Sequence, residues 1–163
     1  MIIRVVDTNV AVVANGTNSD VSPVCQLAAL KRLGALLERG QVIVDVAGEM
    51  LSEYRRQLSP SGQPGVGDRF LYEVLMNYTS KVKRVHLEKR PDGSFVDFPD
   101  DDRLVGFDLS DRKFAAASRK CEVPVLNATD TDWLDYREAL ADNGVVVEFI
   151  CGLSSRRWFR ARP

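Results

Sequence analysis

The chain opens on a short apolar run, Ile2-Ile3-Arg4-Val5-Val6, that ends abruptly at an acid, a hydroxyl and an amide, Asp7-Thr8-Asn9. β-Branched residues dominate the run and it lacks polar alternation, the pattern of a central parallel strand covered on both faces. Asp7 then stands where that strand ends. In open α/β sheets the carboxyl ends of the strands border the crevice where ligands bind. A carboxylate at the edge of a dry core is costly as packing and well suited to a metal ion. The bland alternative makes Asp7 a strand terminator with no chemistry.

The rest of the chain alternates helix and strand. Ser22 caps and Pro23 opens a helix whose leucines recur at helical spacing, and Gly40 stops it. A strand over 41–44 follows, then Asp45 as a cap for a helix over about 46–58. A Ser/Pro/Gly loop at 59–65 leads to a helix over 68–80 and an edge strand at 82–87. Residues 88–107 are the least regular stretch, with a turn at Pro91-Asp92-Gly93 and the acidic run Asp100-Asp101-Asp102. Helix 109–120, strand 123–126, helix 132–141 and strand 145–150 complete the pattern. Strands separated by helices predict an α/β fold, a three-layer α/β/α sandwich with a central parallel sheet. The expected organisation is one domain over 1–153, with a basic, aromatic tail at 154–163.

Composition narrows the chemistry. The formal net charge is −1, so attraction to nucleic acid has to come from local patches. One histidine, His86, excludes two-histidine zinc motifs, and nothing resembles a nucleophile elbow around a serine. The three cysteines, Cys25, Cys121 and Cys151, share no metal-ligand spacing and read as reduced core thiols of a cytoplasmic protein. No apolar run approaches the ~18 residues of a membrane span, and Met1 leads into a strand rather than a signal peptide. Carboxylates remain as the chemical groups.

Three further acids fall where Asp7 falls. Glu53 lies on the second turn of the helix after strand two. Asp111 opens the helix that begins Asp108-Leu109-Ser110-Asp111. Asp130 follows strand 123–126 through Asn127-Ala128-Thr129. In a parallel sheet all four elements turn at one edge, so Asp7, Glu53, Asp111 and Asp130 are expected to converge. Such a group repels itself unless a hard divalent cation, Mg2+ or Mn2+, is present.

Val6-Asp7-Thr8-Asn9, Glu53-Tyr54 and the segments 108–116 and 127–133, in this order, resemble the PIN-domain nucleases, and the likeness covers nearly the whole chain. It implies a PIN-like fold and metal-dependent hydrolysis of RNA phosphodiester bonds. The quartet Asp7, Glu53, Asp111 and Asp130 would be both catalytic and metal-holding, with Thr8, Asn9 and Asp132 in support. Asp7 and Asp130 would be the principal ligands and Asp111 would close the site. Glu53 would serve a second ion or position the attacking water. Many members are VapC-type toxins paired with an antitoxin, so an antitoxin, a homodimer and RNA are the expected partners. Two departures stand out: Ala128 replaces a frequent hydroxyl, and 88–107 is longer than in the minimal toxins.

Other readings stay open. Asp108 and Asp132 suit helix caps, and Asp111 suits a favourable charge at a helix N-terminus. Glu49, one turn before Glu53, is the reserve acid. His86 reads as a surface or edge residue, and Asp97 with Asp100 to Asp102 as a solvated loop. Arg55, Arg56, Arg112 and Lys113 neighbour the acids and are candidates to line an RNA groove. In the tail, Arg156 and Arg157 suit phosphates and Trp158 suits base stacking, although a protein-docking or flexible terminus is equally compatible. At the level of function, the alternatives are a phosphatase or phosphoacceptor domain using Asp7, and a non-catalytic RNA- or protein-binding module.

Overall fold

In the computed structural model, which describes residues 1–161, five strands form one sheet in the order β3-β2-β1-β4-β5, every pairing parallel. They are β1 (Ile2–Val6), β2 (Gly40–Asp45), β3 (Val82–Val85), β4 (Val125–Asn127) and β5 (Val147–Phe149). Arg162 and Pro163, the end of the expected tail, lie outside the described residues. The α/β architecture expected from the sequence is the one observed. β1 is the middle strand, and Val5 and Val6 are fully buried between the helical layers, which is why its apolar residues do not alternate with polar ones.

Helices α1 (Thr8–Ala14), α2 (Pro23–Arg39) and α4 (Val66–Met76) pack on one another, while α6 (Arg112–Cys121) lies across β1, β2 and β4 with α3 (Glu49–Gln57) beside it. α1 and α4 meet at Gly67, where a Cβ would overlap the carbonyl of Ala11. That close approach fixes α1, the helix that carries Thr8 and Asn9.

Local chemistry sets the ends of the helices. Ser22 Oγ accepts from Cys25 N at 3.2 Å and Pro23 is the first residue of α2. α3 begins later than the residue pattern implies. Asp45, buried at the end of β2, accepts from Glu49 N and Met50 N, both at 2.9 Å, and Gly48 turns the chain with φ +83°. The expected helix over 68–80 is instead α4 followed by a separate turn, α5 (Tyr78–Lys81), because Asn77 leaves the helical region at φ −112°, ψ 39°. The expected helix over 132–141 likewise divides at Tyr136 into α7 (Thr131–Asp135) and α8 (Arg137–Asp142). Between β3 and α6 the irregular stretch contains a hairpin: Lys89 pairs with Phe95, and Arg90 N donates to Ser94 O at 2.8 Å around the Pro91-Asp92-Gly93 turn.

Two expectations are corrected. Cys25 and Cys151 form a disulfide that ties the first turn of α2 to the chain just after β5, while Cys121 stays free and half-buried. Sequence spacing carries no sign of this pairing, because the two positions are far apart and meet only through the sheet order. Trp158 is not available for base stacking. It is fully buried, its indole N–H donates to Gly152 O at 2.8 Å, and its carbonyl accepts from Ser22 N at 2.8 Å. Phe159 bridges Val21, and Arg160 N donates to Asp20 O at 2.7 Å. Arg156 and Arg157 remain exposed. Among the described residues, no helix is long and apolar enough to cross a membrane.

Trp158 therefore acts as a core residue. Trp158→Ala is expected to destabilise the protein by about 3–5 kcal/mol, read as a lower urea midpoint. An unchanged midpoint would show that this segment does not dock.

Candidate metal centre

The centre grows from the end of β1. Asp7 N still donates to Leu126 O at 3.2 Å, so the backbone of the acid belongs to the β1–β4 ladder while its side chain has left the strand. The carboxylate caps α1 through Asn9 N at 3.2 Å and accepts from the indole N–H of Trp133. One residue earlier, the buried hydroxyl of Tyr54 donates to Val6 O at 2.5 Å. Burial, reinforced by the charges of Asp7, Glu53 and Asp45, pushes that phenol well above its ordinary range and keeps it a donor.

Asp130 is positioned by two amides. Asn9 Oδ1 accepts from Ala128 N at 2.9 Å and from Thr129 N at 3.0 Å, while its Nδ2 donates to Asn127 Oδ1 at 3.0 Å. Asn127, fully buried at the end of β4, also accepts from Asp130 N at 3.2 Å and donates to Asp130 O at 3.1 Å. The turn after β4 is thereby held by side chains from the start of α1 and the end of β4. Asp130 itself caps α7 by accepting from Asp132 N at 3.0 Å.

Asp111, in the 3₁₀ turn before α6, completes the group. Oxygens of Asp7, Asp111 and Asp130 lie within 4.8 Å of one another. Burial comes first in pushing Asp7 up to about 7, with the Asp130 charge next, and the Trp133 and Asn9 bonds offset part of this. Asp111 is pushed up to about 9 by burial, then by the charges of Asp7 and Asp130, and it is in hydrogen-bond contact with Asp130. Three hard oxygen donors at this spacing, two of them pushed toward protonation in the absence of countercharge, fit a divalent cation.

Asp108 and Asp132 form a second group with Asp111, again with oxygens within 4.8 Å. Asp108 accepts from both the amide and the hydroxyl of Ser110 at 2.7 Å, and these bonds hold it below the usual carboxylate range. Its capping partner is thus Ser110 rather than Asp111. Asp132 is not the cap of its helix. It sits in the first turn and accepts from Asp108 N at 3.0 Å, with burial raising its pKa.

Glu53 stands apart from the three. Its Oε1 takes Lys113 Nζ at 2.8 Å and its Oε2 accepts from the Thr8 hydroxyl. Lys113 is itself buried and also donates to Ser110 O. The expected quartet is therefore a carboxylate trio beside an ion pair. Glu49, the reserve acid, takes Lys89 Nζ at 2.7 Å. Glu53 and Arg56 line two cavities, one of about 420 Å3 with Thr8, Asn9, Ser110 and Thr129, the other of about 480 Å3 with Lys113, Lys89 and Phe95. Arg56 is exposed and has no ion pair among the described residues, and Arg55 is likewise exposed. Arg112 does not project into the groove. Its guanidinium donates to the carbonyls of Leu104, Val105 and Phe107 and lies 4.7 Å from the Phe98 ring centre.

Two contributors were not singled out in the sequence. Asn127 ends an apolar strand with a buried amide, a type that must find partners. Trp133, one helical turn after Asp130, carries an N–H that a core position obliges to bond. Both signals are present but unspecific, since neither reveals which oxygen is being served.

No family model matches the chain, and no curated protein matches it. The chain is similar to one in the crystal structure of VapBC2 from Rickettsia felis bound to a DNA fragment from their promoter. The likeness covers 91% of this chain and 98% of that one, at 10% identity and a TM-score of 0.46.

The raised acids have a consequence for stability. Between their unfolded pKa, about 4, and the folded values, the native protein holds more protons than the unfolded chain. Metal-free stability therefore falls as pH rises through this window, toward about 9 for Asp111. Thermal melts in EDTA should drop by at least about 4 °C across it, and Asp111→Asn should flatten the slope. A second expectation concerns Trp133→Phe, which removes the bond that lowers the Asp7 pKa. Calorimetric titration with Mn2+ across pH should show the binding midpoint about one pH unit higher.

Proposed function

We propose that the protein is an endoribonuclease that hydrolyses RNA phosphodiester bonds with a Mg2+ or Mn2+ ion held by Asp7, Asp111 and Asp130. The observation that carries this reading is the convergence of those three carboxylates at the end of the middle strand, where two are driven toward protonation unless a cation takes the proton's place. A divalent cation there supplies the positive charge that makes water acidic enough to attack phosphorus near neutral pH and that offsets charge developing on the phosphoryl oxygens.

The chain's own groups do the positioning. Trp133 fixes the rotamer of Asp7, and the Asn9–Asn127 pair fixes the turn that bears Asp130. Lys113 and Thr8 tie down Glu53, leaving it beside the trio as the group to orient a water rather than as a principal ligand. Arg56, at the junction of the two flanking cavities, and the exposed Arg55 are the cations for backbone phosphates, with Arg156 and Arg157 as more remote contributors. The motif resemblance to PIN-domain nucleases supports RNA as substrate and extends the proposal to a toxin that pairs with an antitoxin and forms a homodimer.

Incubation of labelled RNA with Mn2+, Mg2+ or EDTA tests the chemistry. Cleavage is expected only with metal, and Asp7→Asn should reduce it about a thousandfold. Cleavage that persists equally in Asp7→Asn, or in EDTA, would overturn the reading.

A further inference from the structure

The stretch between β3 and α6 builds a cavity that the metal centre does not use. It has a volume of about 630 Å3 and lies under the 88–96 hairpin, with Phe95, Phe98 and Leu104 as apolar lining and Asp100 among its polar residues. Gly93, Phe95 and Leu109 line it together with the neighbouring 480 Å3 cavity, which contains Glu53, Ser110 and Lys113. One continuous surface thus leads from the residue before Asp111, over Leu109, whose side is 77% exposed, to this cavity.

The cavity's lining, with three acids, Asp92, Asp100 and Asp101, against two arginines, disfavours a phosphate. Its two arginines are partly engaged: Arg90 Nη1 donates to Ser94 Oγ and Phe95 O, and Arg112 Nη2 to three carbonyls. Its acids differ in what they have left to offer. Asp101 accepts from Arg103 and Asn143, and Asp92 accepts from Ser94. Asp100, exposed, accepts no hydrogen bond among the described residues. An apolar wall with a half-buried aromatic ring and one free carboxylate suits a flat, uncharged group that donates a hydrogen bond.

We propose that this cavity is a nucleobase subsite. It takes one unstacked base carrying an exocyclic amino group (cytosine, adenine or guanine rather than uracil) from a single-stranded RNA whose backbone crosses the metal centre. The base packs on Phe95 and its amino group donates to Asp100, the pairing that carboxylates make with base amino groups. Duplex RNA is excluded because its bases are stacked and paired. The inference rests on the nuclease reading and gives it a sequence preference set by residues 88–107, outside the acidic trio.

The test is a binding experiment that needs no cleavage. Asp7→Asn protein is titrated with fluorescent ten-nucleotide RNAs, all uridine except for a single cytidine or adenosine walked along the chain. One position is expected at which the substitution tightens binding roughly tenfold. Asp100→Asn, a change at an exposed residue, should abolish that preference, Phe95→Ala should weaken it, and annealing the complementary strand should remove binding at the subsite. Absence of a preferred position, persistence of the preference in Asp100→Asn, or no binding by any of the RNAs would overturn the subsite. The metal-dependent cleavage assay stands apart from all three outcomes, so failure of the subsite is distinguishable from failure of the nuclease reading.

Discussion

Three carboxylates in one dry corner repel one another, and the surrounding structure is organised to hold them there. Nothing in a folding chain draws Asp7, Asp111 and Asp130 together; burial and mutual charge both oppose it, as the upward pKa shifts of Asp7 and Asp111 record. The opposition is met by neutral side chains and by backbone already committed to the sheet. Asp7 is fixed through the ladder to β4 and through the Trp133 indole, and Asp130 through the amides of Asn9 and Asn127. Neutral partners restrain an acid without cancelling its charge, so the trio keeps its affinity for a cation. Where the structure does supply a cation, Lys113, it gives it to Glu53.

The sheet order explains why the corner lies where it does. β1 sits between β2 and β4, so the chain leaves it toward one side first and returns on the other after a long excursion. At such a reversal, neighbouring crossover connections diverge and leave a crevice at the carboxyl ends of the strands. Asp7 comes from the middle strand, Asp130 from the turn after its neighbour β4, and Asp111 from the start of α6, which packs across both. A carboxylate at the end of either edge strand, β3 or β5, would not reach the reversal.

Much of this was legible in the sequence because it depends on periodicity and on strand ends. The two-sided apolar run of β1 announced a buried parallel strand, and acids placed at comparable ends announced a shared edge. What could not be read depends on side-chain direction. Glu53 shares the expected edge, yet its oxygens turn to Lys113 and Thr8, a choice fixed by a lysine far along the chain. Arg112 was read as a candidate to line an RNA groove and Trp158 as available to stack on bases, and tertiary packing turned both inward. The Cys25–Cys151 pairing joins positions that no local pattern relates. The breaks at Asn77 and Tyr136 escaped for a related reason, since helical spacing continues past both residues while the backbone does not.

The separation of charge across the site has a thermodynamic consequence for the proposed nuclease. The acidic trio repels a phosphate backbone and attracts a divalent cation, while Arg56 and the exposed Arg55 would attract that backbone from the side. With the overall charge near neutral, no long-range field overrides this local conflict. A divalent cation held by the trio would cancel most of its negative charge and lessen that repulsion, so metal and RNA would each raise the other's affinity by the same factor. A base held by Asp100 would sit outside that coupling, because its contact is a hydrogen bond to an uncharged group. Sequence preference and metal dependence would then be carried by separate parts of one groove, the first by the hairpin between β3 and α6, the second by the ends of β1 and β4.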